Sequence, residues 1–227
     1  MSIWSRIADA LSALASGEGL TAVFDQLRTP PEKTVAFTIA VIALSAKMAK
    51  ADGLVTRDEV MAFREIFHIP REDEDGAARV FNLARQDVAG FAEYAKRIRA
   101  MFGQDRGTLC DLMEGLFHIA MADGTYHPGE EAFLLRVAEI FDLPEGSFRR
   151  LKSRFVPDAA PDPYDVLGVE PGMTLAEIRA TWRQLVRESH PDRMIARGVP
   201  EEAVKLSERR LIDINRAWEE IAAREHA

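Results

Sequence analysis

Two stretches near the C-terminal end repeat their apolar residues every three or four positions, and a connection of about eleven residues separates them. From Thr174 to Ser189, the residues Leu175, Ile178, Trp182, Leu185 and Val186 share one helical face. From about Glu201 to Ala223, Val204, Leu211, Ile214, Ala217, Trp218 and Ile221 do the same. Two such faces on so short a connection predict an antiparallel hairpin, with Trp182 and Leu185 against Ile214 and Trp218. Thr174 with Glu177 is a capping box that starts the first helix. Pro191 stops it, because the residue before a proline is biased away from helical dihedrals. His190-Pro191-Asp192 is thereby held at the hairpin tip.

On the face of the first helix turned away from the seam, Arg179, Arg183 and Arg187 lie four residues apart, and Arg193 and Arg197 carry positive charge into the connection. On spacing alone such a stripe reads as a solvated helix face. The neighbouring tripeptide changes that reading. Asp162-Pro163-Tyr164-Asp165-Val166-Leu167-Gly168-Val169, then Trp182-Arg183-Gln184-Leu185, His190-Pro191-Asp192 and Asn215-Arg216-Ala217-Trp218, fall in an order that resembles a J domain of the DnaJ family, over residues 162 to 224. Four motifs in order are far more specific than an isolated His-Pro-Asp.

The resemblance implies a co-chaperone that binds an ATPase chaperone of the DnaK (heat-shock) class and stimulates its ATP hydrolysis. By position, His190, Pro191 and Asp192 form the stimulating loop, and Arg179, Arg183 and Arg187 supply the docking charge. An arginine row of this kind docks on an acidic surface and raises the encounter rate. The family often has a tyrosine and lysines on the first long helix; here stand Trp182, read as core, and arginines only. No glycine/phenylalanine-rich segment follows, and the single Cys110 excludes the cysteine-rich zinc module of full-length DnaJ proteins. Client recruitment is therefore expected of the N-terminal part or of no part of this chain, with the client itself unspecified.

The rest of the chain reads as a second helical body. Its 47% hydrophobic content is ample for a core. Of the net charge of −8, residues 163–227 hold ten Lys/Arg against twelve Asp/Glu, so −2, and the first 162 hold −6. An acidic balance argues against nucleic acid as a partner. One cysteine excludes an internal disulfide and suits a cytoplasmic protein. Residues 3 to 14 place Ile3, Trp4, Ile7, Leu11 and Leu14 on one face. Because its polar face is not basic, this segment is expected to dock on the body rather than on a membrane surface. The most apolar stretch, Val35 to Ala46, is far short of the roughly 20 residues that cross a bilayer. Helices are expected at about 32–50, from Thr56 to near Ile69, and at about 88–102, 107–121, 128–141 and 145–154, with Glu72 to Asp75 capping one more. The expected fold class is all-α.

The body also repeats itself. Asp52 and Glu59 are echoed by Asp123 and Glu130, 71 residues on, and each copy closes on Ile-Phe-x-x-Pro: Ile66, Phe67, Pro70 and Ile140, Phe141, Pro144. Two pseudo-symmetric helix-loop-helix units are predicted. This pattern resembles the TerB (tellurite-resistance) domain over about residues 30 to 155, and TerB followed by a J domain resembles the DjlA family of co-chaperones. The resemblance raises a divalent-metal site of Asp52, Glu59, Asp123 and Glu130, with His118 and His127 as further donors. The residues themselves favour capping: Asp-Gly is turn chemistry, and His127-Pro128-x-Glu130 puts proline and glutamate where a helix start wants them. The cofactor expectation is accordingly none, with a divalent metal as the alternative.

Three prolines in residues 156–163 mark a semi-rigid linker. The expected division is an amphipathic segment 1–29, a TerB-like domain 30–155, the linker 156–163 and a J domain 164–227. With no nucleophile motif, no phosphate-cradling glycine loop and no metalloprotease spacing, the chain is not read as an enzyme. The alternative to a chaperone-stimulating protein is a TerB-like metal- or stress-linked adaptor in which the J domain only localises a chaperone.

Overall fold

The computed structural model describes residues 6, 7, 9, 32–52, 69, 74–86, 90–103, 105–156, 162–200 and 204–225. The protein is all-α, and no strand occurs among the described residues. The body comprises α1 (Glu32–Asp52), α2 (Glu74–Gln86), α3 (Phe91–Phe102), α4 (Arg106–Ala120), α5 (Pro128–Ile140) and α6 (Glu145–Phe155). The C-terminal part comprises α7 (Pro163–Leu167), α8 (Leu175–Glu188), α9 (Pro191–Ala196) and α10 (Lys205–Glu225).

The body is built around α1, whose side chains from Val35 to Met48 are all buried. A helix apolar on every side has to be enclosed, and α2, α3, α4 and α5 pack around it. Lys47 stays inside by laying its ammonium 4.9 Å from the centre of the Tyr94 ring. The next helix does begin at the predicted acids, with Glu74 and Asp75 in its first turn. Asp105 caps α4 by accepting the Thr108 N–H at 3.1 Å. Ile7 is fully buried in this core, as docking of the first segment on the body requires. The predicted helix from Thr56, the first copy of the repeat from Gly53 to Phe67, and residues 157–161 of the linker lie outside the described residues.

The predicted hairpin is present. Thr174 and Glu177 make the capping box, the Trp182 and Trp218 rings stack at 5.2 Å, and the Trp182 indole N–H donates to Asn215 Oδ1 at 3.0 Å. Ile178, Leu185, Ile214, Ala217 and Ile221 close a core of their own with Val166 and Leu167 of α7 and with Val169, which follows it.

Two local readings change. Pro191 ends α8 as expected but also opens α9 at its first position, because a proline lacks only an N–H that would have no helical partner there. Pro163, assigned to the linker, opens α7 in the same way behind an Asp162 cap. A larger correction concerns separateness. Met194, Val199 and Val204, on the connection between the hairpin helices, and Leu206, in the first turn of α10, are buried in the core of the body rather than in that of the hairpin. At the other end, α7 packs on α6, and a Cβ at Gly168 would lie 3.3 Å from the Gly146 carbonyl oxygen. Gly168 has φ +66°, so glycine there serves both the turn and the close approach.

Candidate functional site

The tip is shaped by its own tripeptide. His190 caps α9 by accepting the Asp192 N–H on Nδ1 at 3.2 Å, which assigns the proton of the neutral ring to Nε2. The Asp192 carboxylate lies 3.6 Å from the same nitrogen, a contact that becomes an ion pair when the ring is protonated. Both side chains stay in solvent, His190 at 59% and Asp192 at 87% exposure. Pro191 fixes the backbone between them. Arg179, Arg183 and Arg187 are all exposed, and none has an ion-paired partner among the described residues. The three residues expected to stimulate the chaperone therefore lie at one end of α8, and the three arginines expected to dock it lie along one free face of that helix.

The inward side of the tip is the opposite. Asp111 and Glu114, one turn apart on α4, have side chains that are 1% exposed. Arg197, from the connection, places Nη2 2.6 Å from Asp111 Oδ2. Arg210 of α10 reaches Asp111 Oδ1 at 2.7 Å and also pairs with Glu114 Oε2. Arg154 of α6 meets Glu114 Oε1 at 2.9 Å and Asp213 Oδ2 of α10 at 3.0 Å. Burial pushes the Asp111 carboxyl above its ordinary value, against the pull of Arg210 and Arg197. Burial acts the same way on Glu114, but there Arg210 and Arg154 together outweigh it and hold the carboxyl below its ordinary value. Arg210 is disfavoured by burial and nevertheless kept charged by Glu114 and Asp111. Further out, Arg149 of α6 pairs with Asp165 at 3.0 Å and Glu170 at 2.9 Å.

Of this cluster, the sequence reading had singled out only Arg197, as part of the basic connection. The signal that marks the rest is two acids, Asp111 and Glu114, inside the otherwise apolar run Leu109–Phe117. A charged residue at a core position of a helix asks for a buried partner.

The second acidic loop is a capping structure. Asp123 Oδ1 accepts the Thr125 N–H at 2.8 Å, and Oδ2 lies 3.2 Å from His127 Nε2. The Thr125 hydrogen bond, followed by His127, holds the Asp123 carboxyl below its ordinary value. Glu130, itself buried, accepts the His127 N–H at 3.0 Å and completes a capping box at the start of α5. His118 is not part of this loop; it packs edge-on to Phe155 at 6.3 Å. The Asp52 side chain and all of Glu59 lie outside the described residues, and among those described no three metal-ligating side chains converge. No described helix is long and apolar enough to cross a membrane.

Comparison with known proteins follows the same division. Residues 38–153, just over half of the chain, match the family described as tellurite resistance protein TerB. Residues 162–226 match the DnaJ domain. The co-chaperone protein DjlA of Coxiella burnetii is 27% identical over 194 residues, spanning 77% of this chain and 72% of the relative. That of Photobacterium profundum is 24% identical over 216 residues, spanning 84% and 78%. For that of Escherichia coli K12 the figures are 23% over 264 residues, 96% of this chain and 97% of the relative. No solved structure matches the chain.

Proposed function

The chain belongs to the TerB family and carries a DnaJ domain behind it, and from that premise we propose a co-chaperone that binds a DnaK-class ATPase chaperone and stimulates its ATP hydrolysis in the cytoplasm. The TerB body recruits the client or complex on which the chaperone acts. The observation that carries this reading is the division of charge at the tip. Arg197, Arg210 and Arg154 are spent on buried carboxylates, whereas Arg179, Arg183 and Arg187 are exposed, and unpaired among the described residues, beside an exposed His190 and Asp192. A row of unspent arginines next to a rigid turn suits docking on an acidic protein surface. No residue needs to perform chemistry, because the ATPase belongs to the partner.

The test is single-turnover ATP hydrolysis by a DnaK-class chaperone, with the intact protein and with His190→Gln. Stimulation by the parent that vanishes in the variant, with unchanged thermal unfolding, is the expected result. His190 is mostly in solvent and its loss removes one local cap, so the fold does not depend on it. Absence of stimulation by the parent overturns the proposal.

A further inference from the structure

The seam between the body and the J domain is built at odds with simple packing. A helix that only had to cover α1 would carry apolar residues at positions 111 and 114, since removing two carboxylates from water is costly even when they are paired. What such a cluster supplies is a single geometry, because guanidinium forks meet carboxylates in few arrangements. The part of the molecule whose geometry is fixed here is the tip. Arg197 Nη2, besides pairing with Asp111, donates to the carbonyl oxygen of Glu188 at 3.2 Å. Glu188 is the last residue of α8 before the tip, and Arg197 follows α9 after it. The two chain segments flanking His190-Pro191-Asp192 are thus tied together on one carboxylate of α4.

The surroundings enforce the tie. Ser189 and Met194, on either side of the tripeptide, are buried. Arg210 shares Asp111 with Arg197 and passes the constraint to α10 through Glu114. Gly107, one turn before Asp111, leaves room for Arg197: a Cβ there would lie 2.8 Å from Arg197 Nη1. The clamp also leaves the docking side open, because Arg179, Arg183, Arg187, His190 and Asp192 all remain exposed. A contact that hid the tip would inhibit; a contact behind it aims it.

We propose that Asp111 and Glu114 of the TerB body are positioning residues for chaperone stimulation, holding the His190-Pro191-Asp192 tip in its productive orientation through Arg197 and Arg210. The proposal rests on the co-chaperone reading and assigns the body a part in the stimulated step itself, beyond client recruitment. It separates two quantities. Docking depends on the exposed arginines, which the clamp does not touch, so the concentration of protein giving half-maximal stimulation stays nearly constant when the clamp is loosened. The maximal stimulated rate, which depends on tip geometry, falls.

The experiment uses the full chain with a DnaK-class chaperone and measures both quantities for the parent, Asp111→Asn, Glu114→Gln and Gly107→Ala. The last variant leaves every charge in place and favours the helix, yet its methyl displaces the Arg197 guanidinium. Expected are a maximal rate lowered about tenfold in the carboxylate variants, well inside the hundredfold that a misplacement of about 1 Å costs, and a smaller loss in Gly107→Ala. Half-saturation should move less than about twofold, whereas Arg183→Glu should raise it, as for a charge that governs encounter. Hydrogen exchange should rise at residues 189–199 while α8 from Thr181 to Arg187 keeps its protection. A parent that fails to stimulate overturns the co-chaperone reading and this proposal together. A parent that stimulates, with Gly107→Ala and the folded carboxylate variants unchanged in maximal rate, overturns the positioning role alone.

Discussion

Arginine is used in two ways on the two sides of the hairpin tip. Outward, Arg179, Arg183 and Arg187 stand in solvent without ion-pair partners among the described residues; inward, Arg154, Arg197 and Arg210 are nearly enclosed and direct their donors to Asp111, Glu114 and Asp213. The residue type is the same, and burial alone decides what it does. An exposed guanidinium keeps its hydration and is available to a partner, whereas a buried one is held by its own protein and becomes part of the fold. The sharpest way to break this comparison is to remove Glu114. Glu114→Ala leaves Arg154 and Arg210 buried and short of a counter-charge, with an expected cost of about 3–5 kcal/mol in urea unfolding. A loss similar to that of a surface substitution would mean that the seam is solvated and the contrast false.

The same variant gives the contrast a pH signature. The folded-state carboxyl of Glu114 lies below its ordinary value of 4.5, so its contribution is complete above pH 4.5 and is lost as the pH falls through the lowered folded value. Asp111 has the opposite sign, because its raised carboxyl is a penalty on the folded state that acid relieves. Below pH 4.5 the parent should therefore lose more stability than Glu114→Ala, and the two unfolding curves should converge.

A second comparison sets Met194 beside Ile195. Neighbours on α9, they are 1% and 51% exposed, the first in the core of the TerB body and the second in solvent. Met194→Ala is expected to cost about 2–4 kcal/mol, and Ile195→Ala less than about 0.5. Equal effects would mean that the connection after the tip is not seated on the body.

How the sequence stated these things depended on whether the determinant was local. The hairpin was legible because helix periodicity, a Thr174 capping box and a proline stop are all written within one stretch, and Trp182 faces Trp218 as the two apolar stripes demand. The tip and its exposed arginines were legible for the same reason. The seam was not. Val204 was assigned to the hairpin face by its period, yet it is buried in the body with Met194, Val199 and Leu206, and periodicity states that a residue is buried without saying against what. Arg197 read as surface charge because its partner, Asp111, is 86 positions away in the chain. The Asp123 and Glu130 pair was open to either reading, and its contacts are those of a turn and a capping box.

The smallest expected effect falls on the outward arginines and bears most directly on what they are for. Arg183 pairs with no carboxylate among the described residues, so Arg183→Ala should change the free energy of unfolding by less than about 0.5 kcal/mol, against the several kcal/mol of the inward cluster. Its effect belongs in docking: the half-saturating concentration for chaperone stimulation should rise, and the parent's advantage should shrink as salt increases, because the Debye length falls from about 10 Å at 0.1 M to about 3 Å at 1 M. A stability loss as large as that of Met194→Ala would place Arg183 in the fold rather than at its surface. An advantage insensitive to salt would remove electrostatics as the reason for the stripe. Little change in stability together with a salt-dependent change in docking is what separates a charge kept for a partner from a charge kept for the protein itself.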